Sequence, residues 1–368
     1  MILKKFTAEG FRNIEKCEID FSDGANLLLG GNAEGKTNVI EGIYLFSRGR
    51  SFRTADDGDL VSFGKEGFRI SVEYEGKDGL AKLEYAHFGR QRLRKKNGYK
   101  LSGVTEMLGN FRSVLFFPDD LRLVKGEPEE RRAFLNVAIS QSELTYLSDY
   151  KSFKCSLENR NALLKRASRS EFIDRNELIS WGEVMAEHSA GIYFARKKYI
   201  AALEGYAAAH VAQLSGGKEK LTLSYKCDIP LDISDKKLAR DEYVRVYTEK
   251  LEREMIVGTS LGGPQRDDLL IEINGTPARS FASQGQQRSV VLGLKLAEGE
   301  VIRERFGEYP VFLFDDVLSE LDLDRRAYVS GKIAGMQTIM TSCEDDSSLG
   351  DDTKVINVKG GSYVPAHR

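Results

Sequence analysis

Three textures of apolar and polar positions follow one another along the chain. In the first 120 residues or so, Arg69–Glu75 and Ala81–His87 alternate on either side of Gly76-Lys77-Asp78-Gly79, which predicts a β-hairpin. Ala25–Leu29 is a short apolar run ending in glycines, and Val39, Ile40, Ile43 and Phe46 behind it predict a helix from Lys36 to about Ser47. From about Glu127 to Gln213 the period lengthens to that of helices, over 144–166 and 173–208, with many charges and little glycine. A brief strand over 220–226 and a helix over 236–255 follow. After Gly262-Gly263-Pro264 the mixed texture returns: a helix over 286–305, then strands at Val311–Phe314 and Thr338–Thr341. The pattern therefore predicts an α/β protein in which two α/β segments bracket a mostly helical insertion.

Composition adds few constraints. The 368 residues carry 54 Lys and Arg against 56 Asp and Glu, a net charge of −2, so any polyanion-binding surface has to be local. Cys17, Cys155, Cys227 and Cys343 are scattered with no C-x-x-C spacing, and the four histidines have no ligand spacing, which argues against a zinc site or a disulfide framework. No apolar run approaches the ~20 residues of a membrane span, and no secretory signal is evident. A soluble cytoplasmic protein is expected.

The chemistry begins at Gly30-Gly31-Asn32-Ala33-Glu34-Gly35-Lys36-Thr37, which matches G-x-x-x-x-G-K-[ST] with a strand before it and a helix starting at the lysine. Such a loop points backbone N–H groups inward at phosphate oxygens, and the helix start adds a partial positive charge. Lys36 is then placed to reach the β- and γ-phosphates of ATP, and the Thr37 hydroxyl to join the shell of a Mg²⁺ ion. A second half is supplied by Val311-Phe312-Leu313-Phe314-Asp315-Asp316, a fully apolar strand ending in two acids. Asp315 suits the metal, and Asp316 the orientation or deprotonation of an attacking water.

Two stretches compete for the part of a γ-phosphate-sensing signature. Leu214-Ser215-Gly216-Gly217-Lys218 is the better spelling but leads into a strand. Ser283-Gln284-Gly285-Gln286-Gln287-Arg288 opens a helix, and only a helix start offers free N–H groups to phosphate. The second is taken as the signature, with Ser283, Gly285 and Gln286 its working residues, and the first as a polar turn.

These motifs, together with Gly10-Phe11-Arg12-Asn13 and Ser319-Glu320-Leu321-Asp322, resemble the SMC/Rad50 branch of ATP-binding cassettes. Arg48-Gly49-Arg50-Ser51-Phe52-Arg53, Phe117-Pro118-Asp119-Asp120-Leu121, Arg160-Asn161 and Gly263-Pro264-Gln265-Arg266-Asp267-Asp268 narrow the resemblance to the RecF family, over the chain up to about residue 342. The resemblance implies an ABC-type ATPase head built from both chain ends (1–125 and 259–368) with an inserted helical arm (126–258). It implies an ATP-dependent homodimer with shared sites: Lys36, Thr37, Asp315 and Asp316 from one copy, and Ser283, Gly285, Gln286 and Asp322 from the other. Arg12 would lie near the nucleotide. DNA, RecR, RecO and RecA are the implied partners. The chain departs from the family at Gln265, where a histidine is usual, and Phe117–Leu121 lacks the glutamine typical of cassettes. Asp316 stands for the commoner glutamate and Thr341-Ser342 for a switch histidine, features that suit slow hydrolysis.

A membrane-transporter ATPase would need the signature much closer to Lys36 than the roughly 250 residues found, and a nuclease head would need a further acidic cluster. Arg90–Lys100 packs six basic residues into eleven; it reads either as a phosphate-neutralising hairpin or as a solvated strand edge. Arg48, Arg50 and Arg53 are open to a nucleotide, interface or plain surface role. Arg196-Lys197-Lys198 reads as a solvated helix face, and Trp181 as core.

Overall fold

The computed structural model describes residues 1–344 and 352–365. The chain forms two compact units, one of residues 1–120 and 292–368 and the other of 121–291.

In the first unit the alternating N-terminal third makes a six-stranded antiparallel sheet: β1 (Ile2–Phe11), β2 (Ile14–Asp20), β4 (Gly67–Gly76), β5 (Gly79–Phe88), β6 (Gln91–Lys96) and β7 (Tyr99–Lys100), in the order 2-1-4-5-6-7. The expected hairpin is β4–β5, closed by the pairing of Gly76 with Gly79. The apolar runs make a second sheet from β3 (Ala25–Leu29), β8 (Ser113–Phe116), β12 (Val311–Phe314), β13 (Thr338–Ser342), β14 (Lys354–Lys359) and β15 (Ser362–Pro365), in the order 15-14-3-13-12-8. All its pairings are parallel except β14 with β15. Continuous apolar strands such as Val311–Phe314, at most 1% exposed, are what a sheet covered on both faces requires. Helix α1 (Lys36–Arg48) packs on strands of both sheets. Phe6, Phe11 and Tyr74 share one core with Ile40, Ile43, Leu313 and Ile339. Short α2 (Val104–Met107) and α11 (Leu323–Ile333) complete this unit with the later part of α10 (Gln284–Phe306).

The second unit is mostly helical, as the longer period predicts. It holds short α3 (Arg122–Lys125), α4 (Pro128–Ser142), α5 (Leu144–Ala167), the 40-residue α6 (Arg175–Leu214), α7 (Lys236–Glu249), α8 (Leu251–Val257) and short α9 (Ala278–Phe281). Strands β9 (Leu221–Lys226), β10 (Asp268–Ile273) and β11 (Thr276–Pro277) form a small antiparallel sheet. That sheet moves a boundary. Residues 259–291, expected with the head, group with the insertion because β10 pairs along its length with β9.

Two further expectations change. Arg196 is not on a solvated face; it is 1% exposed and bonds Asp267 Oδ2 at 2.8 Å and the Pro264 carbonyl at 2.7 Å. Helical periodicity misled here because a charged residue enters a helix's inner face when a buried acid awaits it. Trp181 is half-buried against a small cluster of Leu163, Leu164, Leu178 and Leu251.

Candidate functional site

The phosphate loop joins β3 to α1, and two glycines explain its course. A Cβ on Gly30 would sit 2.2 Å from the Val358 carbonyl, and Gly35 has φ 110°, open only to glycine at low cost. Asn13 donates to the Ala33 carbonyl at 3.1 Å, and the Tyr363 hydroxyl donates to the Gly35 carbonyl at 3.3 Å. The Gly360 N–H donates to Glu34. The β14–β15 hairpin thus braces the loop. Gly31, Asn32 and Ala33 remain exposed. Lys36 is buried, its ammonium donating to the carbonyls of Gly30 (2.6 Å) and Gly31 (2.8 Å), with Cys343 Sγ at 3.5 Å.

Three adjacent strands bring the loop to the acids. Strand β13 lies between β3 and β12, with Met340 level with both Leu27 and Phe314. Thr37 Oγ1 donates to Asp315 Oδ1 at 2.8 Å, and Thr341 Oγ1 donates to the same oxygen at 3.1 Å. Burial raises the Asp315 carboxyl above its usual range, while the hydrogen bonds from Thr37 and Thr341 oppose the rise; Asp316 adds to it and Arg53 opposes it. Asp316 is exposed, with φ 56°, and its N–H donates to Thr341 Oγ1 at 2.9 Å. Ser319 Oγ donates to the Asp316 carbonyl at 2.9 Å and its Oδ1 at 3.3 Å. Thr37 and Asp315 offer two hard oxygens in contact, a donor set that suits Mg²⁺ completed by phosphate and water. Among the described residues there is no group of three or more His, Cys, Asp or Glu able to hold a metal.

A third group gathers around Glu41 of α1. Glu41, fully enclosed in α1, accepts from Arg12 Nε (2.9 Å) and Nη2 (2.7 Å), from Arg53 Nη1 (3.3 Å) and from Ser51 Oγ. Arg12 Nη1 also donates to the Asp59 carbonyl at 2.9 Å, so Arg12 is anchored at three donors. Asn38 accepts from Arg53 at 2.9 Å and donates to Asn13 at 2.6 Å.

The two signature candidates sit at opposite helix ends. Ser283 caps α10: its Oγ accepts from the Gln286 N–H (3.2 Å) while Gln286 Oε1 accepts from the Ser283 N–H (2.8 Å), a reciprocal capping box. Ser283 and Gln284 are exposed and Gly285 is partly so. Leu214–Lys218, by contrast, ends α6: Gly217 (φ 80°) donates to the Ala212 carbonyl at 2.7 Å, the closing bond of a glycine C-cap. It therefore presents carbonyls, the wrong pole for an anion. Asp322 caps α11, accepting from the Arg325 N–H at 2.9 Å.

The basic stretch at 90–100 is partly spent on structure. Arg92 bonds Asp57 at 2.6 Å, Arg94 lies over the Tyr85 ring at 4.6 Å and Lys96 bonds Asn110 at 2.6 Å. Arg90, Lys95 and Lys100 keep free side chains among the described residues. The Gly263–Asp268 motif is structural as well: Asp267 holds Arg196, and Asp268 holds Arg131 at 2.7 and 2.9 Å. Gln265, at the family's histidine position, donates to the Gly262 carbonyl at 2.6 Å.

Sequence reasoning had no signal for Glu41, an apparent polar position within an apolar helix, nor for Tyr363 and Thr341 as braces. Asn13 and Arg53 stood within the quoted motifs without assigned contacts, and Asn38 directly after one.

A phosphate loop, an acidic strand end two strands away and a capped signature helix define an ATPase head of the ABC type. The RecF/RecN/SMC N-terminal domain family matches residues 2–358. The archaeal Smc head with an extended coiled coil from Pyrococcus furiosus shares the fold at a TM-score of 0.57, 17% identity and 99% coverage of this chain and 96% of that one. Within that class the chain belongs to the RecF family. It is 37% identical to the DNA replication and repair protein RecF of Ruminiclostridium cellulolyticum, over 95% of each chain, and 35% identical to that of Bacillus subtilis, over 94% of each. The solved recombination mediator protein RecF-ATP of the RecFOR pathway superposes at a TM-score of 0.92 with 33% identity, over 100% of this chain and 98% of that one. Among the described residues no helix is long and apolar enough to cross a membrane.

Proposed function

We propose that this chain is an ATP-gated DNA-binding protein of recombinational repair, in which two copies close around ATP and Mg²⁺. The observation that carries the reading is the contact of Thr37 with Asp315, which joins the phosphate loop to the acidic strand end as a Mg²⁺–triphosphate site needs. When bound, Mg²⁺ would neutralise charge developing on the phosphates. Lys36 would leave the Gly30 and Gly31 carbonyls for phosphate oxygens, a short swing of one flexible side chain. Asp316, held by Ser319 and open to solvent, is the group suited to orient a water. An aspartate there, one methylene short of glutamate, favours slow hydrolysis and hence a timer.

The exposed Ser283 cap and the Asp322 cap are the surfaces offered to a second copy's nucleotide. The RecF-ATP structure of the RecFOR pathway supports ATP as ligand and RecR and RecO as partners, and kinship with DNA replication and repair proteins supports DNA; help in loading RecA is part of the proposal. Arg90, Lys95 and Lys100 are candidate phosphate contacts.

Sedimentation of the full chain without nucleotide, with ADP and with ATP tests the gating. A dimer only with ATP is expected, lost in Lys36→Met and in Ser283→Arg. A dimer indifferent to nucleotide would overturn the reading, as would ATP-independent affinity for gapped duplex DNA.

A further inference from the structure

Three contacts from the β14–β15 hairpin fall on the phosphate loop. Strand β14 pairs in parallel with β3 as far as Asn357 beside Leu29, and the chain then runs on alongside the loop that β3 leads into. The Val358 carbonyl stands against Gly30, the Gly360 N–H donates to the Glu34 carboxylate, and the Tyr363 hydroxyl donates to the Gly35 carbonyl at 3.3 Å. Asn13 adds a fourth hold, on the Ala33 carbonyl at 3.1 Å. Ala33 has φ 64°, a region that residues with a Cβ seldom enter, so these holds maintain a loop that would otherwise relax.

The turn of the hairpin suits this task. Lys359 pairs with Ser362, which leaves Gly360 and Gly361 as a two-residue turn with φ 57° and 77°. Its first amide is spent outside the hairpin, on Glu34. A Cβ on Gly360 would meet nothing within 4 Å, so glycine is required there by backbone conformation alone. Tyr363 packs against the core that α1 shares with both sheets, so its hydroxyl is carried by a fixed ring.

Glu34 is the odd member of the loop, an acid in a segment that has to hold a polyanion. A carboxylate free to swing toward the phosphates would repel them, and one held on a donor elsewhere would repel them less. Resting on the ATP-site reading above, we propose that the β14–β15 hairpin is a working part of the nucleotide site. Gly360 and Tyr363 are positioning residues for the phosphate loop. Glu34 is the clasp between them, and its charge is kept from the phosphates by the Gly360 amide. The hairpin acts through the loop, without touching the nucleotide itself.

The test is equilibrium titration of the full chain with Mg²⁺ and a slowly hydrolysed ATP analogue, at low and high salt, with thermal melting of the nucleotide-free chain in parallel. Gly360→Val strains the turn and should weaken binding roughly tenfold at low salt. In a Glu34→Gln background the same substitution should cost less than about threefold, because a neutral side chain set free does not repel phosphate. High salt should shrink the loss in the Glu34 chain and leave it unchanged in the Glu34→Gln chain. Tyr363→Phe keeps the ring, and should weaken binding roughly fivefold with melting unchanged. It therefore carries the test if Gly360→Val melts early. Undiminished affinity in both Gly360→Val and Tyr363→Phe overturns the proposal. So does a loss in Gly360→Val that is the same with either residue at position 34 and at either salt, since a purely structural hairpin would behave that way. A wild-type chain that does not bind the analogue would instead defeat the ATP-site reading.

Discussion

The two units handle buried charge in opposite ways. In the inserted unit enclosed arginines have their own acids: Arg160 with Glu254 at 2.6 Å, Arg196 with Asp267, and Arg131 with Asp268. Neighbours such as Ser260 and the carbonyls of Leu178 and Pro264 take up further donors. In the head unit the counts do not match. Glu41 faces two arginines, Asp315 stands beside Asp316 with no ion pair among the described residues, and Lys295, 3.0 Å from Asp120, also faces Glu298. Buried charge is tolerated when paired and costly when not, so a matched set reads as architecture and a mismatched one as a place where something else supplies the balance.

The largest effect that can break this contrast is in the inserted unit. Arg196→Met should cost about 3–5 kcal/mol in denaturant unfolding, because Asp267 and Tyr225 are left enclosed around an unpaired charge. A cost below about 1 kcal/mol would show that the pair is not architectural. Lys36→Met should do the reverse, weakening ATP binding by roughly 10- to 100-fold in a calorimetric titration while leaving unfolding nearly unchanged.

A pH test addresses the mismatched carboxylates. Burial pushes Glu298 from 4.5 up to about 7, with Asp120 adding and Lys295 opposing. Between these pH values the native state holds a proton that the unfolded state has lost, so this group's contribution to stability falls as pH rises from about 4.5 to 7 and stays low above. Glu298→Gln should therefore be more stable than wild type at pH 8, on the order of 2 kcal/mol, with the advantage shrinking toward pH 5. A pH-independent difference would mean that Glu298 is not protonated in the native state. The smallest effect is Ser283→Ala, about 1 kcal/mol from loss of the cap; its sedimentation with ATP should show a far larger loss of dimer.

How much of this was legible in the sequence depended on whether the information was local. The phosphate loop, the acidic strand and the β4–β5 hairpin are written in consecutive residues, and each forms where the spelling puts it. The helix polarity that separates 214–218 from 283–288 was local too: the first closes α6 and the second opens α10. What stayed hidden was long-range. Glu41 sits between Ile40 and Gly42 in a helix whose apolar neighbours give no hint of arginines arriving from positions 12 and 53. The braces at Tyr363 and Gly360 come from a hairpin over 300 residues downstream of the loop they support. Arg196 was misread because periodicity reports which face a residue occupies only when charges stay outside.

Strand β13 has an implication for quality control. A slip of one position would turn Thr341 to the opposite face, taking its hydroxyl away from both Asp315 and the Asp316 amide. The proposed nucleotide site would then be incomplete in any chain whose central ladder had zipped out of register. Under the proposed function, a misassembled copy would stay silent instead of spending nucleotide away from DNA.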